Sequence, residues 1–197
     1  MRLLAVKKIT NQTILVDIAK NSEDIDVCEA AVKKLTDQVV LTDIAKSAVE
    51  NYIRIAAIKK LTDNTILADI VKNNSDSDVR GTAVDNLTDQ AILADIAKND
   101  IDNFVREVAV SKLTDQSLLA DIAKNGNNPE EVRYAAVNNL TDQAVLADIA
   151  KNDNDPYMRD EAKAILANII NTDEEYEEEV EAAAEFDAMP LINPTAI

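Results

Sequence analysis

Six aspartates, Asp17, Asp43, Asp69, Asp95, Asp121 and Asp148, recur at a nearly constant interval. A row of carboxylates is the pattern in this chain most able to hold hard cations, but its spacing argues against that chemistry. With each aspartate on its own helix, neighbours stand about 9–10 Å apart. That is too far to share one ion whose oxygen ligands lie at about 2.3–2.6 Å. Each aspartate also has a lysine three positions on, from Lys20 to Lys151, so ion pairing or solvation is the expected role.

Three other sets carry charge or aromatic surface at repeating positions. Arg54, Arg80, Arg106, Arg133 and Arg159 form a guanidinium row able to face a carboxylate ligand. Lys7-Lys8, Lys33-Lys34 and Lys59-Lys60 make a basic strip confined to the N-terminal half. The equivalent later positions are Asp85-Asn86, Ser111-Lys112 and Asn138-Asn139. The plain reading of this strip is a solvated face, and the sharper one is a site for an acidic partner. Tyr52, Phe104 and Tyr157 recur in alternate units, with Tyr134 nearby in sequence to the last. Aromatics of this kind anchor protein interfaces or pack over a helix link.

The residue types most used in catalysis are scarce. The 197 residues include no His, so nothing is poised to shuttle protons near pH 7 and the common zinc ligand is missing. The single Cys28 excludes an internal disulfide and a cysteine-based metal cluster. No enzyme activity, metal or cofactor is therefore expected.

Net charge is −17, and it is unevenly placed. Nine acids and no base fall between Asp173 and Asp187, which leaves 28 acids against 20 bases elsewhere. Such a balance disfavours nucleic-acid binding, which depends on neutralising phosphates. The sequence has no start resembling a signal peptide and no apolar run of about 18 residues. A soluble, cytoplasmic protein without membrane association is the expectation.

These sets are positioned by a repeat. Thr10, Thr36, Thr62, Thr88, Thr114 and Thr141 are separated by steps of 26, 26, 26, 26 and 27 residues, and a fixed period of this size means a repeat array. Each unit reads as two short amphipathic helices. Thr36 is placed as the N-cap of the first, with Asp37 in its first turn and Lys46 in its last, as the helix dipole favours. Val40, Leu41, Ile44 and Ala45 supply an apolar stripe. Ile53, Ala57, Ile58 and Leu61 line the second helix, and Leu61 leads straight into Thr62. Helices of about ten residues are marginal alone and gain stability by stacking. Only 3% of residues are aromatic, so the core must be built from Leu, Ile, Val and Ala.

The link and second helix, Asp102-Asn103-Phe104-Val105-Arg106-Glu107-Val108-Ala109-Val110 and later Asp155-Pro156-Tyr157-Met158-Arg159, resemble HEAT-like α-solenoid repeats. The shorter period is similar to the related leucine-rich repeat variant. The resemblance covers roughly residues 1–170. It implies a scaffold or binding surface, with the Arg bracing the helix link against an Asp. Some HEAT-like proteins act as nucleic-acid glycosylases or as lyases attaching pigments to proteins, activities these residues give no support to. In the first repeat Cys28 stands at the Arg column.

The ends depart from the pattern. Met1 to Ile9 aligns with the later part of a second helix, so the array begins without a polar cap over Leu3, Leu4 and Val6. A fragment or a self-association edge is expected there. Asn125-Gly126-Asn127-Asn128-Pro129 holds the one length change. Gly126 suits a left-handed helix stop and Pro129 the first turn of the next helix. Beyond a last solenoid helix at about 156–170, Thr172 caps a further acidic segment in which Tyr176 and Val180 lie at helical spacing, a candidate docking helix. The residues after Met189 are expected to be loose.

The expected architecture is all-α: a right-handed-type α-solenoid of stacked antiparallel helix pairs over residues 1–171, followed by an acidic extension at 172–197. The expected function is protein–protein interaction, as a scaffold or adaptor presenting a curved face. Self-association through the N-terminal edge or the acidic tail is a further expectation. The rival reading is an acidic mimic of nucleic acid that sequesters a basic partner.

Overall fold

The computed structural model describes residues 2–171. Among them every regular element is an α-helix, and consecutive helices pack in pairs as in an α-solenoid. The described residues fall into two compact units, divided between Asn139 and Leu140. The first helices of the repeats are α2 (Gln12–Asn21), α4 (Gln38–Ser47), α6 (Asn64–Asn73), α8 (Gln90–Asn99), α10 (Gln116–Lys124) and α12 (Gln143–Asn152). The second helices are α1 (Arg2–Lys8), α3 (Ile25–Lys34), α5 (Asn51–Ile58), α7 (Ser77–Asn86), α9 (Asn103–Ser111) and α11 (Glu130–Asn138). Residues 156–171 form α13.

The apolar columns become the core. Leu15, Leu41, Leu67, Leu93 and Leu119 on the first helices are fully buried, as are Ala31, Ala57, Ala83, Ala109 and Ala136 on the second. Within residues 1–139 the second helices lie against one another from α1 to α11, whereas adjacent first helices touch far less. The Ala column accounts for this: a methyl side chain lets two backbones approach, so the second-helix layer closes tightly and the first-helix layer stands apart. In residues 140–171, Leu146, Ile149, Met158 and Ala162 are the buried side chains of α12 and α13.

The helix starts differ from the sequence expectation by one residue. The N-caps of α4, α6, α8, α10 and α12 are Asp37, Asp63, Asp89, Asp115 and Asp142, not the preceding threonines. Asp89 Oδ1 accepts from the backbone N–H of Ala91 at 2.9 Å and of Ile92 at 3.1 Å. A carboxylate placed there satisfies two orphan donors and meets the positive end of the helix dipole.

The threonines serve a different bond. Gln90, the first residue of α8, reaches one repeat forward. Its Nε2 donates to the carbonyl of Lys112 at 3.1 Å, and its Oε1 accepts from Thr114 N–H at 3.0 Å and Thr114 Oγ1 at 3.1 Å. Gln12 holds Lys34 and Thr36 in the same way, and Gln38 holds Lys60 and Thr62. The shorter Asn64 accepts from Thr88 N–H at 2.9 Å. Thus Thr-Asp-Gln carries three roles in three residues: held by the preceding repeat, capping its own helix, and holding the next.

Three further expectations are corrected. Val6 is buried although Leu3 and Leu4 are exposed, because it lies in the column of Val32 and Ile58 that faces the neighbouring second helix. No described glycine has a positive φ, so Gly126 is not a left-handed stop; α10 ends in extended backbone at Asn125. Pro129 is the N-cap of α11 and precedes its first turn.

The cap assignment can be measured. Asp89→Ala should cost about 1 kcal/mol, whereas Thr88→Val, which leaves the backbone clamp intact, should cost no more than about 0.5 kcal/mol. Urea denaturation of the two variants is expected to show that order, and the reverse order would restore threonine as the cap.

Candidate interaction surface

Where the first helices stand apart, their edges and the links to the second helices leave grooves. The larger lies between α6 and α8, with a volume of about 750 Å³. Val71, Ile92, Ile96 and Ile101 supply its apolar wall, and Lys72 and Asp95 stand on it. A second groove, of about 400 Å³, lies two repeats earlier, between α2 and α4, and includes Lys20, Ile44, Val49 and Tyr52. The two share columns at a 52-residue offset: Lys20 with Lys72, Ile44 with Ile96, and Val49 with Ile101. Val49 and Ile101 are the lip residues, 87% and 93% exposed.

The floor of the α6/α8 groove is a buried ion pair. Arg80 is 4% exposed, the one charged residue buried to core level among the described residues. Its Nε and Nη2 donate to the two carboxylate oxygens of Asp100 at 3.2 and 3.0 Å, and its Nη1 donates to the carbonyls of Asn74 and Ser75. Every face of the guanidinium is thereby satisfied, as a buried charge requires. Arg54 and Arg106 occupy the same column but donate to the carbonyls of Ala48, at the end of α4, and Ala97, in the last turn of α8, and Arg106 also donates to Asn128 Oδ1 at 2.6 Å. The row therefore acts as a set of internal braces, through backbone oxygens more than through aspartate.

The aspartate row is engaged with neighbouring side chains. Lys20 pairs with Asp43 and Lys46 with Asp69, each at 2.5 Å and each across to the next repeat. The Lys46 ammonium, as hydrogen-bond donor and charge, holds the Asp69 carboxyl below its ordinary pKa. At the α6/α8 groove this clasp is open: among the described residues Lys72 makes no ion pair, and Asp95 accepts from Asn99 at 2.7 Å.

The basic strip is only partly available. Lys34 Nζ donates to the carbonyls of Val6 and Lys7 at 3.2 and 2.6 Å, and Lys60 Nζ donates to the carbonyl of Lys33. Both lysines thus cap the preceding second helix, where a cation meets unsatisfied carbonyls and the negative end of the dipole. Asn86, Lys112 and Asn139 do the same in later repeats. Partial burial lowers the Lys60 pKa. Lys33 pairs with Glu29 at 2.7 Å, and Lys7 and Lys59 are exposed.

The aromatics sit in different settings. Tyr52 lines the α2/α4 groove, and desolvation first, then Cys28 and Glu50, raises its pKa. Phe104, 46% exposed, lays its ring on the backbone of α7 at Gly81, where a Cβ would come within 2.6 Å of Cε1. The glycine in mid-helix thus makes room for the ring. Tyr134 shares a shallow depression with Glu107, Glu130 and Glu131, and Tyr157 is 73% exposed. Tyr176 and Val180 lie outside the described residues.

Sequence reading missed both grooves and their lips. The signal was present in Val49 and Ile101, two large aliphatics 52 residues apart at otherwise polar link positions. Compared with known protein families, with curated proteins and with solved structures, the chain matches none. What its own residues define is an all-α helical-repeat protein. No described helix is long and apolar enough to cross a membrane.

Two stability tests follow from this geometry. Asp100→Ala strands the Arg80 charge and should cost about 3–5 kcal/mol, while the double change Arg80→Met with Asp100→Leu should recover most of it. Chemical denaturation reads both. Gly81→Ala should stabilise by about 1 kcal/mol in a Phe104→Ala background, as helix propensity requires, and by at least roughly 0.5 kcal/mol less in the parent chain. Equal effects in the two backgrounds would deny the ring contact.

Proposed function

We propose that this chain is a non-enzymatic interaction scaffold of the HEAT-like type, and that its partner seats on the link edge with the two grooves. The observation that carries this reading is the pair of lips, Val49 and Ile101, almost wholly exposed, each beside a groove, at equivalent positions two repeats apart. Single exposed aliphatics are ordinary on protein surfaces. Two in the same register, each next to a concave apolar wall, form a repeated feature that stacking itself does not use. The alternative of an acidic nucleic-acid mimic is less well supported, because many first-helix acids are engaged in caps and clasps: Asp37, Asp63 and Asp89 hold backbone N–H groups, and Asp43 and Asp69 hold lysines.

The test is capture from a lysate of the source cells with the full chain, the Val49→Asp/Ile101→Asp variant and a Val39→Asp control, since Val39 is exposed at the start of α4 and lines neither groove. Binding that survives Val39→Asp and falls at least tenfold in the double variant is expected. Capture indifferent to Val49 and Ile101 would remove this edge as the binding face.

A further inference from the structure

The charge of the link edge says what kind of segment it suits. Segments 22–26, 48–52, 74–78 and 100–104 together hold eight acids, among them Glu23, Asp26, Glu50 and Asp78, and no Lys or Arg. These four are exposed, and none holds an ion pair. The arginines behind them, Arg54, Arg80 and Arg106, are turned inward to backbone carbonyls and Asp100, so they do not neutralise the surface. Along this edge the pattern alternates. The first and third repeats present Glu23 with Asp26 and Ser75 with Asp78, whereas the second and fourth present Val49 with Tyr52 and Ile101 with Phe104.

Resting on the scaffold reading above, we infer that the link edge binds an extended cationic segment of another protein, whose aliphatic side chains enter the grooves beside Val49 and Ile101 and whose basic residues lie against the intervening acids. The geometry sets the register of such a segment. Two repeats span about 20 Å at helix-packing distances, and an extended chain covers that in about six residues at roughly 3.3 Å each. Two aliphatic anchors about six positions apart therefore reach both grooves, and lysine or arginine between them meets Asp78 and Glu50. Uncompensated carboxylates raise the local concentration of a basic segment and speed its encounter, whereas the grooves fix its register.

The probe is a fluorescein-labelled synthetic peptide with two leucines six positions apart and alternating lysine and serine between them. It is titrated by fluorescence anisotropy with the full 197-residue chain. Two control peptides carry the leucines three positions apart, or glutamate in place of each lysine. Saturable binding is expected that weakens with added salt, with at least tenfold weaker binding for either control peptide and for the Val49→Asp and Ile101→Asp single variants. Both positions are exposed, so these variants should keep the helical circular dichroism of the parent. No saturable binding of the lysine peptide, equal binding of the two leucine spacings, or binding unchanged in both variants would each overturn the inference. If sedimentation shows the parent chain dimerising and the two variants monomeric, the occupant is a second copy and the inference also falls. Failure here, with capture still dependent on Val49 and Ile101, would leave the scaffold reading standing and remove only the cationic partner. Loss of that dependence would remove both.

Discussion

Short helices leave a large share of their backbone unpaired, and the structure depends on how those groups are satisfied. A helix of ten residues has four N–H groups and four carbonyls without an internal partner. A stack of such helices meets that demand at every turn of the chain. Here the N–H groups are met by caps at each helix's own start, and many of the carbonyls by side chains of a neighbouring repeat. Asp89 caps its own helix, Gln90 holds the entry to the next repeat, and Lys112 and Asn86 cover carbonyls of the repeat before. Each bond is individually modest, at about 1 kcal/mol. Because the same set recurs, it ties each repeat to its neighbour within residues 1–139 at a set offset.

That offset has a structural consequence. The Ala column brings the second helices close, while the first helices carry larger side chains and are joined by clasps of amide and lysine side chains that span a wider gap. Grooves are then a by-product of the two layers having different packing distances. Between α6 and α8 the clasp is open and Arg80 is sunk onto Asp100, and the groove there is larger and more apolar than the one between α2 and α4. Gly81 and Phe104 show the same accommodation at a smaller scale, where a missing side chain on one helix receives a ring from the next.

Acidic charge is divided by use. First-helix aspartates are committed to N-caps and to clasps with lysine, whereas several link acids remain without counter-ions. Exposed link acids such as Glu23, Glu50 and Asp78 therefore stand beside the exposed aliphatic lips. The lysines nearest to them are those in the last turns of the first helices, where Lys20 and Lys46 are clasped to Asp43 and Asp69, and Lys20 and Lys72 stand in the grooves themselves.

By itself the sequence determined the helices and the core. A strict 26-residue period with one apolar face per helix leaves a single way to bury Leu41, Leu67, Leu93 and their equivalents, so element type, pairing and core columns were all legible. The cap was misplaced by one residue because Thr and Asp are both good N-caps and stand side by side. What only the tertiary structure decided lies one repeat away from the residue concerned. That Lys34 and Lys60 reach carbonyls of the preceding repeat, that Arg80 finds Asp100, and that a ring from α9 settles on Gly81 all depend on the lateral offset between stacked helices. Periodicity encodes which side of a helix faces the core. It does not encode how far one helix slides or splays against the next, and that distance decides which polar side chains meet and where a groove is left open.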